Sequence, residues 1–127
     1  MRGSRKVRRN IGAAVIATGL VAGIAVAVMP ASAAVRNPGK LLICVTEDIE
    51  GAAAILPDRG GMFLSAIPGG ACNTFNLPGS NRNERVDMLE LVNRVPRYIQ
   101  PMNYDNVSGT ALQVQRQDGR VIVSDVP

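Results

Sequence analysis

The chain has 127 residues, a formal net charge of +4 and no histidine. The missing histidine excludes Ser-His-Asp and Cys-His catalysis, and it also excludes a histidine-ligated zinc site. Five of the 14 basic residues precede residue 11, which leaves nine against ten acidic residues in the rest of the chain. That part is slightly acidic and has only four aromatic residues, so we expect no nucleic-acid partner.

The first 33 residues are typical of a secretory signal peptide. A basic start is followed by the apolar stretch 11–29 and by Ala31-Ser32-Ala33, which has the small-x-small pattern of a cleavage site. The alternative is an uncleaved anchor, because 19 apolar residues approach the length that spans a bilayer. Pro30 and the small-residue pattern favour cleavage. We therefore expect a secreted, extracellular protein with no membrane contact after cleavage, a lead-in at 34–39 and one β domain at 40–127.

Cys44 and Cys72 are the two cysteines of the chain. Thiols pair readily in an oxidising compartment, so a secreted chain with two cysteines predicts one disulfide. The alternative is a pair of buried free thiols. A cross-link would matter here because the domain lacks the aromatic side chains that usually supply much of a core's buried area.

Short apolar runs separated by turn residues predict a mainly β domain. Proline and glycine punctuate the chain at Pro57 to Gly61, at Pro68 to Gly70 and at Asp118-Gly119. Strands with turns at this spacing are typical of a sandwich or barrel. The predicted strands are 40–46, 52–56, 62–67, 71–77, 97–102, 110–115 and 120–124.

The stretch 83–93 is ambiguous. As a helix it would place Val86, Leu89 and Val92 on one face and would stop before Pro96. As a strand it would be a buried segment with broken alternation. The periodicity slightly favours one short helix. Pro101 predicts that the segment 97–102, which contains it, is an edge strand or the end of a strand.

Two corners of the chain share a spacing. Each has an apolar residue, four residues, another apolar residue, one residue and then glycine, ending at Gly51 and at Gly109 with a constant offset of 58. An apolar segment and a glycine-containing turn follow both corners. We interpret the pair as an internal repeat in which the two glycines form equivalent structural turns.

This repeat resembles the paired Greek-key motifs of βγ-crystallin-like proteins, and in particular the small secreted metalloprotease inhibitors of that fold. Gly51 and Gly109 match the hairpin glycine of the family motif. Cys44, Ile49, Met102 and Val107 stand at the other apolar positions, where the family usually has larger aromatic groups. The resemblance covers residue 40 to the end and implies a small Greek-key β-sandwich. It also implies that 86–92 is a strand, against the helical interpretation.

The same resemblance implies calcium as the one cofactor to consider. Asn83 and Glu84 match the family's ligand stretch, while Asp87 and Met88 stand where it has hydroxyl residues. Asp87 offers a carboxylate oxygen of the kind that Ca²⁺ prefers, whereas the thioether of Met88 does not suit a hard cation. Apart from this weak calcium set of Asn83, Glu84 and Asp87, we expect no cofactor.

We expect binding rather than catalysis, because the acidic residues of the first corner fit a solvated turn better than an active site. An inhibitor presents a rigid loop, and two segments combine proline with apolar residues: one carries Met62 and Phe63, the other Ile67 and Pro68. Both could instead be ordinary connections. The sequence thus predicts a monomeric, non-enzymatic binding protein whose extracellular target is a protease. The alternative is a structural or cell-envelope-associated binding module without inhibitory activity.

Overall fold

Eight β-strands form two four-stranded sheets in a computed structural model that describes residues 36–126. The predicted signal peptide and the first residues of the lead-in lie outside the described residues. One 3-10 turn, Pro57–Arg59, follows the second strand. The strands are β1 Lys40–Val45, β2 Gly51–Leu56, β3 Met62–Pro68, β4 Cys72–Asn76, β5 Glu84–Val92, β6 Val95–Tyr104, β7 Thr110–Gln117 and β8 Arg120–Asp125.

The strand order is β4-β1-β7-β8 in what we call the first sheet and β3-β2-β5-β6 in the second sheet. All neighbouring strands are antiparallel except β1 and β7, which are parallel. A parallel pair needs a long crossover, and here the chain passes through the second sheet between β1 and β7. The two sheets share one apolar core, so the predicted mainly β sandwich is confirmed.

The core lies between the sheets and is built mainly from alternate strand residues, because successive strand side chains point to opposite faces. Leu41, Ile43 and Val45 enter it from β1, whereas Met88 and Val86 enter it from β5. β2 contributes the small side chains of Ala52 and Ala54. The largest fully buried side chains are Tyr104, Leu41, Ile43, Leu56, Ile67, Met88, Leu112, Val86 and Val114.

The helical interpretation of 83–93 is wrong, because this stretch is strand β5. β5 pairs with β2 on one side and with β6 on the other. These long-range pairings satisfy its backbone groups, which outweighs a weak local preference for helix. Val86 lies in the core while Leu89, three residues later, lies on the opposite face of the strand.

Pro101 does not end its strand, since β6 runs on to Tyr104. The strand tolerates this proline because β6 is the edge of the second sheet, as the sequence predicted. A register shift opposite Met88 and Leu89 puts one extra residue, Ile99, into β6. This bulge allows both Ile99 and Met102 to pack against the core.

The two corners of the predicted repeat are connections that lead the chain from one sheet to the other. The first corner leads from β1 to β2 and the second from β6 to β7, so each connects one sheet to the other. The offset extends to the following strands: β3 begins at Met62 and β8 at Arg120, which is again 58 residues later.

The two corner glycines are not equivalent, contrary to the prediction. Gly109 has φ +86° and lies against the backbone of Asn37, where a Cβ would come within 2.0 Å of the carbonyl oxygen. Gly51 has no positive φ and is the first residue of β2. A Cβ there would meet the Ile67 carbonyl oxygen at 2.9 Å, so close packing rather than a turn requires that glycine.

The predicted disulfide is confirmed. Cys44 of β1 lies directly opposite Cys72 of β4, and the two are bonded. β4 is an edge strand with one neighbour, so the bond attaches the edge of the first sheet to its centre.

Candidate protein-binding surface

The beginning of β3 carries two neighbouring apolar side chains that face solvent. Met62 is 44% exposed and Phe63 is 54% exposed. Ile67, at the other end of the same strand, is only 2% exposed and belongs to the core, while Pro68 is exposed. Three of the four residues predicted for an inhibitory contact are therefore accessible, and any contact made by the second segment would depend on Pro68.

β3 is also an edge strand, at the opposite side of the second sheet from β6. Within residues 36–126, β2 is the one strand that pairs with it. Half of the backbone N–H and C=O groups of an edge strand point away from the sheet and can bind another extended chain. No charged residue lies between Met62 and Pro68. The start of β3 thus combines exposed apolar side chains with an extended backbone.

The turn before β3 is held in place although it contains Gly60 and Gly61. Both glycines adopt positive φ values of 69° and 77°, which suits a tight turn. The Gly61 N–H donates to the Leu56 carbonyl oxygen at 3.1 Å and closes the loop. Glycine-rich composition indicates flexibility, but these contacts fix the direction in which the chain enters β3.

Arg59 anchors the same turn to the body of the protein. Its Nε donates to Glu84 Oε2 at 2.8 Å, and its Nη2 donates to Glu84 Oε1 at 2.9 Å. Nη2 also donates to the Pro78 carbonyl oxygen at 3.0 Å. A two-pronged guanidinium–carboxylate contact fixes both direction and distance. Arg59 therefore joins the turn before β3, the start of β5 and the connection between β4 and β5.

Glu84 is the centre of this network and is almost fully buried, at 3% exposure. Asn106 Nδ2 donates a third hydrogen bond to its Oε1 at 3.0 Å. The hydrogen bonds from Arg59 are the largest influence on the pKa of Glu84, which is lowered, while burial acts in the opposite direction. The same contact raises the pKa of Arg59. Both groups are therefore held in their charged forms.

Tyr104 and Asn106 connect the network to the end of β6. The buried Tyr104 hydroxyl donates to the Leu77 carbonyl oxygen at 2.6 Å, and burial raises its pKa. Asn106 Oδ1 accepts from the Asn81 N–H at 3.3 Å. Gly79 lies so close that a Cβ there would approach Asn106 Oδ1 to 2.1 Å. We call Arg59, Glu84, Tyr104 and Asn106 the Arg59 network.

The structure does not bring the predicted calcium ligands together. Glu84 uses its carboxylate oxygens for Arg59 and Asn106. Asp87 lies on the other face of β5, because Val86 between them and Met88 after it enter the core, and it accepts from Arg85 Nε at 2.7 Å. The described residues contain no group of three or more Cys, Asp or Glu side chains placed to hold a metal ion. Calcium binding stays a prediction.

The outer face of the second sheet, which points away from the core, is largely apolar. One row across its four strands consists of Phe63, Ile55, Asp87 and Pro101. The next rows carry Ala53, Leu89 and Tyr98, then Gly51, Leu91 and Pro96. Tyr98 is 56% exposed at the β6 side, whereas Phe63 is exposed at the β3 side. We refer to this surface as the apolar outer face.

Sequence reasoning missed the Arg59 network and the apolar outer face. Arg59 lies in a turn that composition marks as solvent-exposed, and its partner Glu84 is 25 residues away. One signal was present in β5: apolar residues at consecutive positions, such as Met88 and Leu89, indicate a strand with two apolar faces. The partners of Glu84 left no comparable signal, because Arg59 and Asn106 come from two separate connections.

The fold and the surface together define a disulfide-linked, mainly β sandwich with an exposed apolar edge strand. Comparisons with models of known families, with characterised proteins and with solved structures find no match. Within the described part of the chain, no helix is long and apolar enough to cross a membrane.

Proposed function

We propose that this chain is a secreted, non-catalytic binding protein that inhibits an extracellular metalloprotease. The observation that carries the proposal is the start of β3, where Met62 and Phe63 are exposed on an extended edge strand. The identification of a protease as the target rests on the family resemblance described above. The disulfide and the predicted signal peptide are compatible with an extracellular protein.

An extended edge strand has the backbone geometry that a strand-binding groove recognises. Hydrogen bonds to the main chain supply affinity in this mode, and pockets for side chains supply specificity. Phe63 and Met62 present two large apolar side chains at successive positions and so to opposite sides of the strand. One of them can enter an apolar pocket of the protease while the backbone pairs with the groove.

The Arg59 network supports this presentation by fixing the turn before β3. Binding by a segment that is already ordered loses less conformational entropy than binding by a flexible loop. Arg59 makes four hydrogen bonds to three residues, so the turn is restrained on the side from which the chain enters β3.

The test is inhibition of a thermolysin-like metalloprotease by the purified mature domain. We expect the wild type to slow cleavage of a small chromogenic peptide. Met62→Ser and Phe63→Ser should each weaken inhibition at least tenfold. Val107→Ser is a matched control, because Val107 is another exposed apolar residue but lies in the connection between β6 and β7. It should inhibit like the wild type.

Unchanged proteolysis at a large molar excess of folded domain would end the inhibitor proposal. The alternative would then be a structural or cell-envelope-associated binding module, for which cell fractionation is the informative measurement. Secretion is tested separately by the intact mass of protein from culture supernatant. We expect a species that begins at Ala34, and a full-length species confined to the membrane fraction would contradict it.

A further inference from the structure

The disulfide between Cys44 and Cys72 lies on the outer face of the first sheet and not in the core. Ile43 and Val45 flank Cys44 on β1, and both belong to the core cluster. Because successive strand side chains alternate, Cys44 points to the opposite face. Neither cysteine is part of the core cluster. The bond is therefore not shielded by the packed interior.

The two halves of the disulfide differ in their access to solvent. Cys72 is exposed and begins β4, whereas Cys44 is 7% exposed. Within residues 36–126, β1 is the one strand that pairs with β4. On its other side β1 pairs with β7, where Gln113 lies directly opposite Cys44. Cys72 is thus the open half of the bond, and Cys44 is the covered half.

Thiol–disulfide exchange is sensitive to this difference. A thiolate attacks one sulfur in line with the S–S bond, from the side opposite the sulfur that leaves, so access decides which sulfur reacts. Because the bond runs from β1 to β4, attack on Cys72 comes from beyond the sheet edge. Attack on Cys44 would have to come from the side of β7, where Gln113 lies. The geometry favours Cys72 as the sulfur that is attacked.

Backbone contacts hold both cysteines in place independently of the S–S bond. The Val45 N–H donates to the Ala71 carbonyl oxygen at 2.9 Å, and the Gly70 N–H donates to the Val45 carbonyl oxygen at 2.8 Å. The strand register sets the Cα atoms of Cys44 and Cys72 4.0 Å apart. Breaking the disulfide removes none of these contacts. We therefore expect the two sulfur atoms to stay adjacent in the folded protein, so that the bond can form again.

We propose that Cys72 is a thiol-exchange site, at which the folded protein forms a reversible mixed disulfide with a low-molecular-weight thiol. The thiolate of the small molecule forms a bond to Cys72 Sγ while the bond between Cys72 and Cys44 breaks. Cys44 Sγ leaves with the electron pair and takes up a proton from water. In the reverse step the Cys44 thiolate attacks Cys72 Sγ and expels the small thiol, so no other oxidant or reductant is needed.

Incubation with reduced glutathione at about pH 8, where part of the thiol is ionised, tests the proposal. The sample is the chain without its predicted leader, since the described residues include both sheets and the whole core. Acid stops the exchange by protonating thiolates, and mass spectrometry of proteolytic peptides locates the adduct. We expect at least tenfold more adduct on Cys72 than on Cys44. The rate should be the same with and without urea at a concentration too low to unfold the domain.

Two single-cysteine variants form a matched pair that measures access to each sulfur separately. Cys44→Ser leaves the thiol of Cys72, and Cys72→Ser leaves the thiol of Cys44. With an aromatic disulfide reagent that releases a coloured thiol, the thiol of Cys72 should react at least tenfold faster than the thiol of Cys44. Circular dichroism confirms that both variants are folded, and the wild-type adduct map decides the question if either is not.

Equal or greater adduct formation on Cys44 overturns the proposal, and so does a lack of exchange in the absence of urea. A rate that rises steeply with urea also overturns it, because unfolding rather than the exposure of Cys72 would then control the reaction. The outcome is independent of the proposed inhibition, since the exchange is read by mass without a protease. Met62→Ser should exchange like the wild type.

Discussion

The two sheets share one core but differ on the faces that they turn outward. The outer face of the first sheet carries Gln113, Gln115, Thr74 and Ser124 beside the partly exposed Leu42 and Ile122. The second sheet presents Phe63, Ile55, Leu89 and Tyr98 instead. Strand alternation is the same in both sheets. The second sheet therefore has the more apolar outer face, with the exposed aromatic residues Phe63 and Tyr98 on its two edge strands.

The sheets also differ in how their outlying parts are attached. A disulfide holds the edge strand of the first sheet, whereas the buried Arg59 network holds the turn at the edge of the second sheet. A covalent cross-link acts largely by restricting the unfolded chain. A buried ion pair acts in the folded state and depends on its charges. The following changes separate these two modes of attachment, from the largest expected effect to the smallest.

Removing the disulfide should have the largest effect. For Cys44→Ala with Cys72→Ala we expect a loss of about 3–4 kcal/mol in the free energy of unfolding, since the bond closes a loop of 28 residues. Urea titration followed by circular dichroism measures the change. Chemical reduction of the wild type should lower stability by a similar amount, and an unchanged midpoint in both cases would contradict this role for the bond.

Alanine substitutions at the two corner glycines should lower the free energy of unfolding by different amounts. Gly109→Ala is expected to lose about 2–3 kcal/mol, because the left-handed backbone and the nearby Asn37 carbonyl both oppose a Cβ. Gly51→Ala should lose about half as much, since its φ is ordinary and the closest contact is 2.9 Å. Thermal unfolding measures both. Gly119→Ala is the control for φ alone, because a Cβ at Gly119 would meet nothing within 4 Å.

Glu84→Gln should lose about 2 kcal/mol, because it leaves the part-buried Arg59 guanidinium without its countercharge. The pKa of Glu84 lies below its ordinary value of 4.5 in the folded protein. The wild-type ion pair therefore stabilises fully above pH 4.5, and its contribution is lost as the pH falls through the folded pKa.

The check is the free energy of unfolding measured from pH 7 down to pH 3. We expect the difference between wild type and Glu84→Gln to shrink over the acidic part of this range. Glu90→Gln is the control, because no ion pair involves Glu90 in the described part of the chain. An undiminished difference at pH 3 would show that the charge of Glu84 is not what stabilises the network.

Substitutions on the outer faces of the two sheets should have the smallest effects on stability. Tyr98→Ser and Gln115→Ser change exposed or half-exposed side chains, so each should alter stability by about 0.5 kcal/mol or less. They should differ in binding of an apolar fluorescent dye, which we expect Tyr98→Ser to reduce and Gln115→Ser to leave unchanged. Equal dye binding by both would remove the contrast between the two faces.

Most strands could be predicted because their signals are local. The alternation of Ala111 to Val114 and the turn Asp118-Gly119 both specify structure through neighbouring residues, and the β7–β8 hairpin follows them. The disulfide was also predictable, since a chain with two cysteines and a predicted signal peptide leaves one pairing. Region 83–93 could not be assigned in the same way, because its strand state depends on β2 and β6, which are distant in sequence.

The candidate surface was only partly predictable. Composition singled out Met62 and Phe63, and the structure exposes both. It also singled out Ile67, which tertiary packing buries, because a register shift between β2 and β3 turns both Leu64 and Ile67 towards the core. Proximity to proline and glycine indicates a connection, but it does not say which way a side chain points.

The sequence by itself determined most of the strands, the tight turns and the cross-link, since each depends on residues near one another or on simple chemistry. Only the tertiary structure decided that Glu84 is a buried anchor for Arg59 and Asn106 and that Asp87 lies on the opposite face of β5. It also decided which apolar residues are core and which remain on the apolar outer face. Both decisions depend on which strands lie side by side, and strand pairing is a property of the whole chain.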